Sequence, residues 1–97
     1  MKEDLLKIIN YYGVLPQLKY FQSEVFELNE AVVIREQEES PSSYTDKLEE
    51  HIAEEIADVM VMLEQFRLYY DIPTEEIRKA MEYKIKRQIE RIENENN

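Results

Sequence analysis

Phe21-Gln22-Ser23-Glu24-Val25-Phe26-Glu27-Leu28-Asn29-Glu30-Ala31-Val32 decides the fold of this chain. Its apolar residues at 21, 25, 28 and 32 recur with the spacing of one face of an α-helix. Glu24 and Glu27, three apart, share a direction on that helix. The same frame returns 31 positions later. Phe21, Glu24, Val25, Glu27, Leu28, Ala31 and Val32 find their counterparts in Ile52, Glu55, Ile56, Asp58, Val59, Met62 and Leu63. Two helices built alike and packed apolar face to apolar face bring four carboxylates together. Four anions in a half-buried place call for a bound cation.

Outward from these stretches, the pattern predicts four helices. Leu5, Leu6, Ile8 and Ile9 make a short amphipathic helix within residues 1–13, ending at Tyr12 with Gly13 behind it. Pro16 suits the first turn of a second helix, reaching about Glu38, with a stripe of Leu18, Phe21, Val25, Leu28 and Val32. Glu39 to Thr45, containing Ser40-Pro41-Ser42-Ser43, reads as a loop. The third helix opens near Asp46, whose spacing to Glu49 suits a capping box, and runs to about Tyr70. Its stripe is Ile52, Ile56, Val59, Leu63, Phe66 and Tyr70. After Asp71-Ile72-Pro73, Thr74 is placed to cap a fourth helix carrying Ile77, Met81, Ile85, Ile89 and Ile92, before a frayed tail at 94–97. No strand-like alternation is present. The expectation is one all-α domain over 1–97, an antiparallel bundle of about four helices with the central pair antiparallel across a short loop.

On this reading the acid pairs sit on one shoulder of each stripe, flanking Leu28 and Val59 and sharing a side with Ala31 and Met62. Oxygen-only ligands suit hard cations, Mg²⁺ first and Mn²⁺ second. Such an ion offsets the repulsion among Glu24, Glu27, Glu55 and Asp58 and polarises a phosphoryl oxygen. Glu54 and Glu30 are nearby acids for a general base, and nothing in the sequence selects one. With 22 acidic residues, a single i,i+3 acid pair is ordinarily a solvated helix face. Two pairs in matched apolar frames are a stronger signal.

Other chemistries drop out. There is no cysteine, which removes disulfides, thiolate metal sites and a thiol nucleophile. The one histidine, His51, follows Leu48 by three, so the Glu-x-x-His of a di-iron bundle is missing. His51 is expected at the surface. A net charge of −10 argues against nucleic-acid binding, and no apolar run approaches a membrane span. A soluble, cytoplasmic protein is expected. Lys84, Arg87 and Arg91 lie along one face of the last helix and are candidates to meet phosphate charge.

Gln22-Ser23-Glu24-Val25-Phe26-Glu27-Leu28-Asn29-Glu30-Ala31, followed by Glu54-Glu55-Ile56-Ala57-Asp58-Val59, resembles the MazG-like nucleoside triphosphate pyrophosphohydrolases. These belong to the all-α NTP pyrophosphatase superfamily, whose signature is Glu-Glu-x-x-Glu, a spacer, then Glu-x-x-Asp. The resemblance spans roughly Gln17 to Arg91 and puts Glu24, Glu27, Glu55 and Asp58 on the four metal-ligand positions. Ser23 departs from it, standing where the first Glu of the signature usually is. The segment Asp58 to Phe66 is similar to small, stand-alone bacterial and phage members.

The resemblance implies Mg²⁺-dependent hydrolysis of a nucleoside or deoxynucleoside triphosphate between its α- and β-phosphates. It makes Gln17 a candidate base or ribose contact. It also implies a homodimer or homotetramer with active sites lined by more than one subunit. Val33, Ile34, Val61, Leu68 and Tyr69, apolar residues off the main stripes, point to association independently. The competing expectation is a non-catalytic helical dimerisation or nucleotide-sensing protein that keeps the fold.

Overall fold

The structure is a computed structural model that describes residues 1–39 and 42–95. It is all-helical, with α1 Lys2–Tyr12, α2 Val14–Glu36, α3 Ser43–Tyr69 and α4 Thr74–Glu95 and no strand among the described residues. Helix α4 runs through Asn94 and Glu95, where fraying is expected; Asn96 and Asn97 lie outside the described residues, as do Ser40 and Pro41 of the expected loop. No helix is long and apolar enough to cross a membrane.

Gly13 both ends α1 and starts α2. Its φ of +94° is a region that L side chains rarely enter, its N–H donates to Ile9 O, and its carbonyl accepts from Gln17 N–H. Pro16 follows within the first turn, where an N–H has no intrahelical partner to lose.

The start of α3 differs from the expectation at Asp46. The cap is Ser42, whose hydroxyl accepts from Thr45 N–H at 3.3 Å, while Thr45 Oγ1 accepts from Ser42 N–H at 2.8 Å. The reciprocal Ser42–Thr45 pair, with Thr45 buried, starts the helix ahead of Asp46. Thr45→Ala should therefore destabilise the protein by about 1–2 kcal/mol in urea unfolding, and Asp46→Ala by much less. At the other end, Asp71 takes a positive φ of 52°, and Arg67 bridges Glu64 and the Ile72 carbonyl at 2.9 Å to fix the turn.

Gln17 meets Gln65, Phe21 meets Phe66 edge to face at 5.8 Å, and Arg35 pairs with Glu49, so α2 and α3 run antiparallel. Helix α1 packs across both, inserting Leu5 and Ile9. The seam does not follow the expected stripes. On α2 the buried residues are Gln17, Glu24 and Ala31, seven apart; on α3 they are Thr45, Glu55, Met62 and Gln65. At about 100° per residue, Leu18, Val25 and Val32 lie roughly 80–120° round from Glu24, and these three are exposed, as are Ile56, Leu63 and Tyr70. Phe21, Leu28, Ile52, Val59 and Phe66 are half-buried. Glu24 and Glu55 thus stand in the seam and not on its shoulder, while Glu27 and Asp58 stay exposed beside it. Each helix carries a wider apolar arc than one neighbour can cover, and the remainder faces away.

Helix α4 buries no residue, so the expected four-helix bundle is three packed helices plus a fourth that leaves Ile77, Met81, Ile85, Ile89 and Ile92 exposed. The radius of gyration is 17.1 Å, against about 12–13 Å for a compact chain of this length. Only Leu5, Ile9, Ala31 and Met62 are buried apolar side chains among the described residues.

Candidate metal centre

Because the seam runs through the acid positions, α2 and α3 press Glu24 and Glu55 against each other. They are 5% and 7% exposed, and Oε2 of each is buried without a hydrogen-bond partner. Asp58, one turn beyond Glu55, is exposed at the edge. One carboxylate oxygen from each of Glu24, Glu55 and Asp58 lies within 4.8 Å of the others. Two buried carboxylates side by side, each with an oxygen left unpartnered, are unfavourable in the protein alone. An all-oxygen set around them matches Mg²⁺ or Mn²⁺, so the residues fit the expected ion.

Glu27, the fourth expected ligand, is exposed and outside this three-oxygen group. Its charge still reaches the site. The Glu55 carboxyl is pushed above the usual carboxylate range, first by burial and then by Glu27, with smaller contributions from Asp58 and Glu24. His51 opposes the rise. It is at the surface as expected, yet its Nε2 stands 3.6 Å from Glu55 Oε1 and its Nδ1 3.8 Å from Glu54.

Tyr20 is a site residue that the sequence did not single out. Its phenol is raised above its ordinary value, chiefly by hydrogen bonding to the Glu24 carboxylate and by that group's charge. A phenol so held keeps its proton and directs it at Glu24. Ser23 turns away instead, its hydroxyl donating to the Tyr20 carbonyl at 2.8 Å.

Beside the acids, α1, α2 and α3 enclose an open cleft of about 610 Å³. Glu24 and Asp58 line it together with Ile8, Tyr12, Pro16, Tyr20, Val61 and Met62, and with Gln17 and Gln65. Its volume is that of a small-molecule site. Among the described residues no Lys or Arg lines it. Lys84, Arg87 and Arg91 are exposed on α4, where Arg87 lies over the Tyr83 ring and Arg91 bonds Gln88. Gln17 does line the cleft, hydrogen-bonded to Gln65, which the sequence reading missed. Glu30 and Glu54 are exposed.

No protein-family model matches the chain, and neither a characterised protein nor a solved structure does.

The raised Glu55 carboxyl sets a pH dependence. A carboxyl whose folded pKa exceeds its unfolded value binds its proton more tightly when folded. Its stabilising contribution is complete below the ordinary carboxylate range and is lost as pH rises through the raised value. In EDTA, thermal unfolding midpoints should fall as pH rises through this window above the ordinary carboxylate range. Glu55→Gln should flatten that slope.

Proposed function

We propose that this chain is a Mg²⁺-dependent nucleoside triphosphate pyrophosphohydrolase, cleaving a ribo- or deoxyribonucleotide between its α- and β-phosphates. The reading is carried by one observation. Two buried carboxylates, each with an unpartnered oxygen, converge with a third at the edge of a cleft of nucleotide size. The likeness of the Glu24–Glu27 and Glu55–Asp58 frames to the MazG-like signature supports it.

Glu24, Glu55 and Asp58 are the proposed ion holders, with Glu27 adding charge from the side. When bound, Mg²⁺ or Mn²⁺ neutralises phosphate charge and acidifies a coordinated water. The chain's own contributions are distinct. The α2–α3 seam fixes the two buried carboxylates, and the Tyr20 hydroxyl holds Glu24 from the side. The cleft walls exclude water from one side of the substrate. One water is consumed, its oxygen ending on a phosphoryl group as the α–β bridge breaks.

A cleft without Lys or Arg leaves part of the triphosphate charge unmet within one chain. Helix α4 of a neighbouring copy, bringing Lys84, Arg87 and Arg91, is the proposed source, in a homodimer or homotetramer. Incubation with Mg²⁺ and each of the common (d)NTPs, followed by ³¹P NMR, should give monophosphate and pyrophosphate. Orthophosphate as the product, or no product with any nucleotide and either metal, would refute this. Binding without turnover would favour a nucleotide sensor, and no binding a helical scaffold.

A further inference from the structure

Gln65 is 1% exposed and Gln17 7%, in a chain with few buried apolar side chains. Gln17 Nε2 donates to Gln65 Oε1 at 2.8 Å across the α2–α3 seam. Gln65 Nε2 turns inward and donates to Met62 Sδ at 3.7 Å, a weak acceptor. The two amides are thus directed at each other and at the core. Burying them is less favourable than burying aliphatic side chains of the same shape, so stability alone does not account for their place in the seam.

Position does. Gln17 lies seven residues before Glu24 on α2, and Gln65 lies seven after Asp58 on α3. In an antiparallel pair, joining Gln17 to Gln65 therefore brings Glu24 level with Asp58 two turns along, with Glu55 one turn further. The apolar residues cannot enforce this. Phe21 and Leu28 on α2 are seven apart, as are Ile52, Val59 and Phe66 on α3. A slide by one heptad therefore sets apolar against apolar again. Such a slide moves one helix by about 10 Å along the other. A connection of six residues, 37 to 42, reaches up to about 20 Å and permits it. Arg35–Glu49, a surface pair, opposes it weakly. The amide pair has no copy at seven. A slide puts Gln65 opposite Glu24, or Asp58 opposite Gln17, and strands the other amide.

We propose that Gln17 and Gln65 are a positioning pair, whose hydrogen bond selects the one register in which Glu24, Glu55 and Asp58 converge. Neither amide holds the ion. The inference rests on the ion-holding reading of those acids. Polar residues in helix seams are known to fix register at a cost in stability.

Three measurements on the wild type, Gln65→Met, and Gln17→Met combined with Gln65→Met test this. In urea with EDTA, the single variant should be the least stable, because it strands a buried amide. The double variant should match or exceed the wild-type midpoint. Spin labels on Gln22→Cys and Lys47→Cys, exposed positions in a chain without native cysteine, report register by electron–electron double resonance. Labelled chains are diluted into unlabelled ones, in EDTA. The wild type should give one narrow distance, and the double variant a second population displaced by up to about 10 Å. The double variant should also bind Mn²⁺ about tenfold or more weakly. A double variant less stable than the wild type overturns the proposal, because the pair then holds the fold up and does not choose its register. An unchanged label distance overturns it too, as does a changed one with wild-type Mn²⁺ affinity. A wild type that binds no Mn²⁺, while the double variant still shifts the label distance, removes the ion reading and leaves the register pair standing.

Discussion

Glu55→Gln is expected to lower kcat for triphosphate hydrolysis by about 10²–10³-fold while raising the unfolding midpoint of the metal-free protein. The two effects have one cause. Glu55 is 7% exposed, its Oε2 has no partner, and burial together with the Glu27, Asp58 and Glu24 charges opposes its ionisation. An amide of the same shape removes the buried charge, so the empty seam relaxes. On the proposed reading it also removes an anionic ligand and with it the cation. A residue kept at the expense of stability is the mark of a functional centre. Glu24→Gln should behave likewise. Asp58→Asn, at the exposed edge, should reduce turnover with little change in the midpoint. The check is a pair of assays on the same preparations, pyrophosphate release with Mg²⁺ and thermal unfolding in EDTA. A Glu55→Gln protein that is less stable without metal would mean that the carboxylate has structural partners of its own.

The second large effect concerns association. Sedimentation equilibrium should give at least twice the mass of one chain, and Ile85→Glu combined with Ile89→Glu should return it to one. Ile77, Met81, Ile85, Ile89 and Ile92 form an exposed stripe on a helix that buries nothing. Leu18, Val25, Val32, Ile56 and Leu63 form a second exposed apolar flank on the packed helices. Each isoleucine covered at an interface contributes about 1.5–3 kcal/mol, so two charged replacements there are decisive. If the neighbouring α4 also supplies phosphate contacts, the monomeric variant loses activity with its ion site intact. Monomeric wild-type protein at micromolar concentration would remove this part of the picture.

The helices were readable from local chemistry. Gly13, Pro16 and Pro73 punctuate the chain where a residue's own backbone preference decides the outcome, and the 31-residue offset announced the two acid frames. Periodicity gives the direction of an apolar arc on a helix and not which part of that arc a neighbour will cover. That is why Val25 and Val32 were expected in the seam, where Glu24 and Ala31 stand. The width of the arcs was the available sign, because one chain has no second surface to cover them. Asp46 was expected to cap α3, and Ser42, four residues earlier and read as loop, does so with the buried Thr45. The Gln17–Gln65 bond joins residues 48 apart with no local pattern to announce it. The seven-residue spacing of Gln17, Glu24 and Ala31 was its one trace in the sequence. The fourth expected ligand, Glu27, stands outside the three-oxygen group although it shares a helix turn with Glu24, since one seam cannot bury both.

A Mn²⁺ titration followed by electron paramagnetic resonance tests the acid centre most directly. Free Mn²⁺ gives a six-line signal that is quenched on binding to a rigid carboxylate site. The wild-type protein should quench at least one equivalent per chain, Mg²⁺ should restore the signal by competition, and Glu24→Gln with Glu55→Gln should leave it as in buffer. A wild-type signal indistinguishable from buffer, or full quenching by the doubly substituted protein, would contradict a metal centre at these residues.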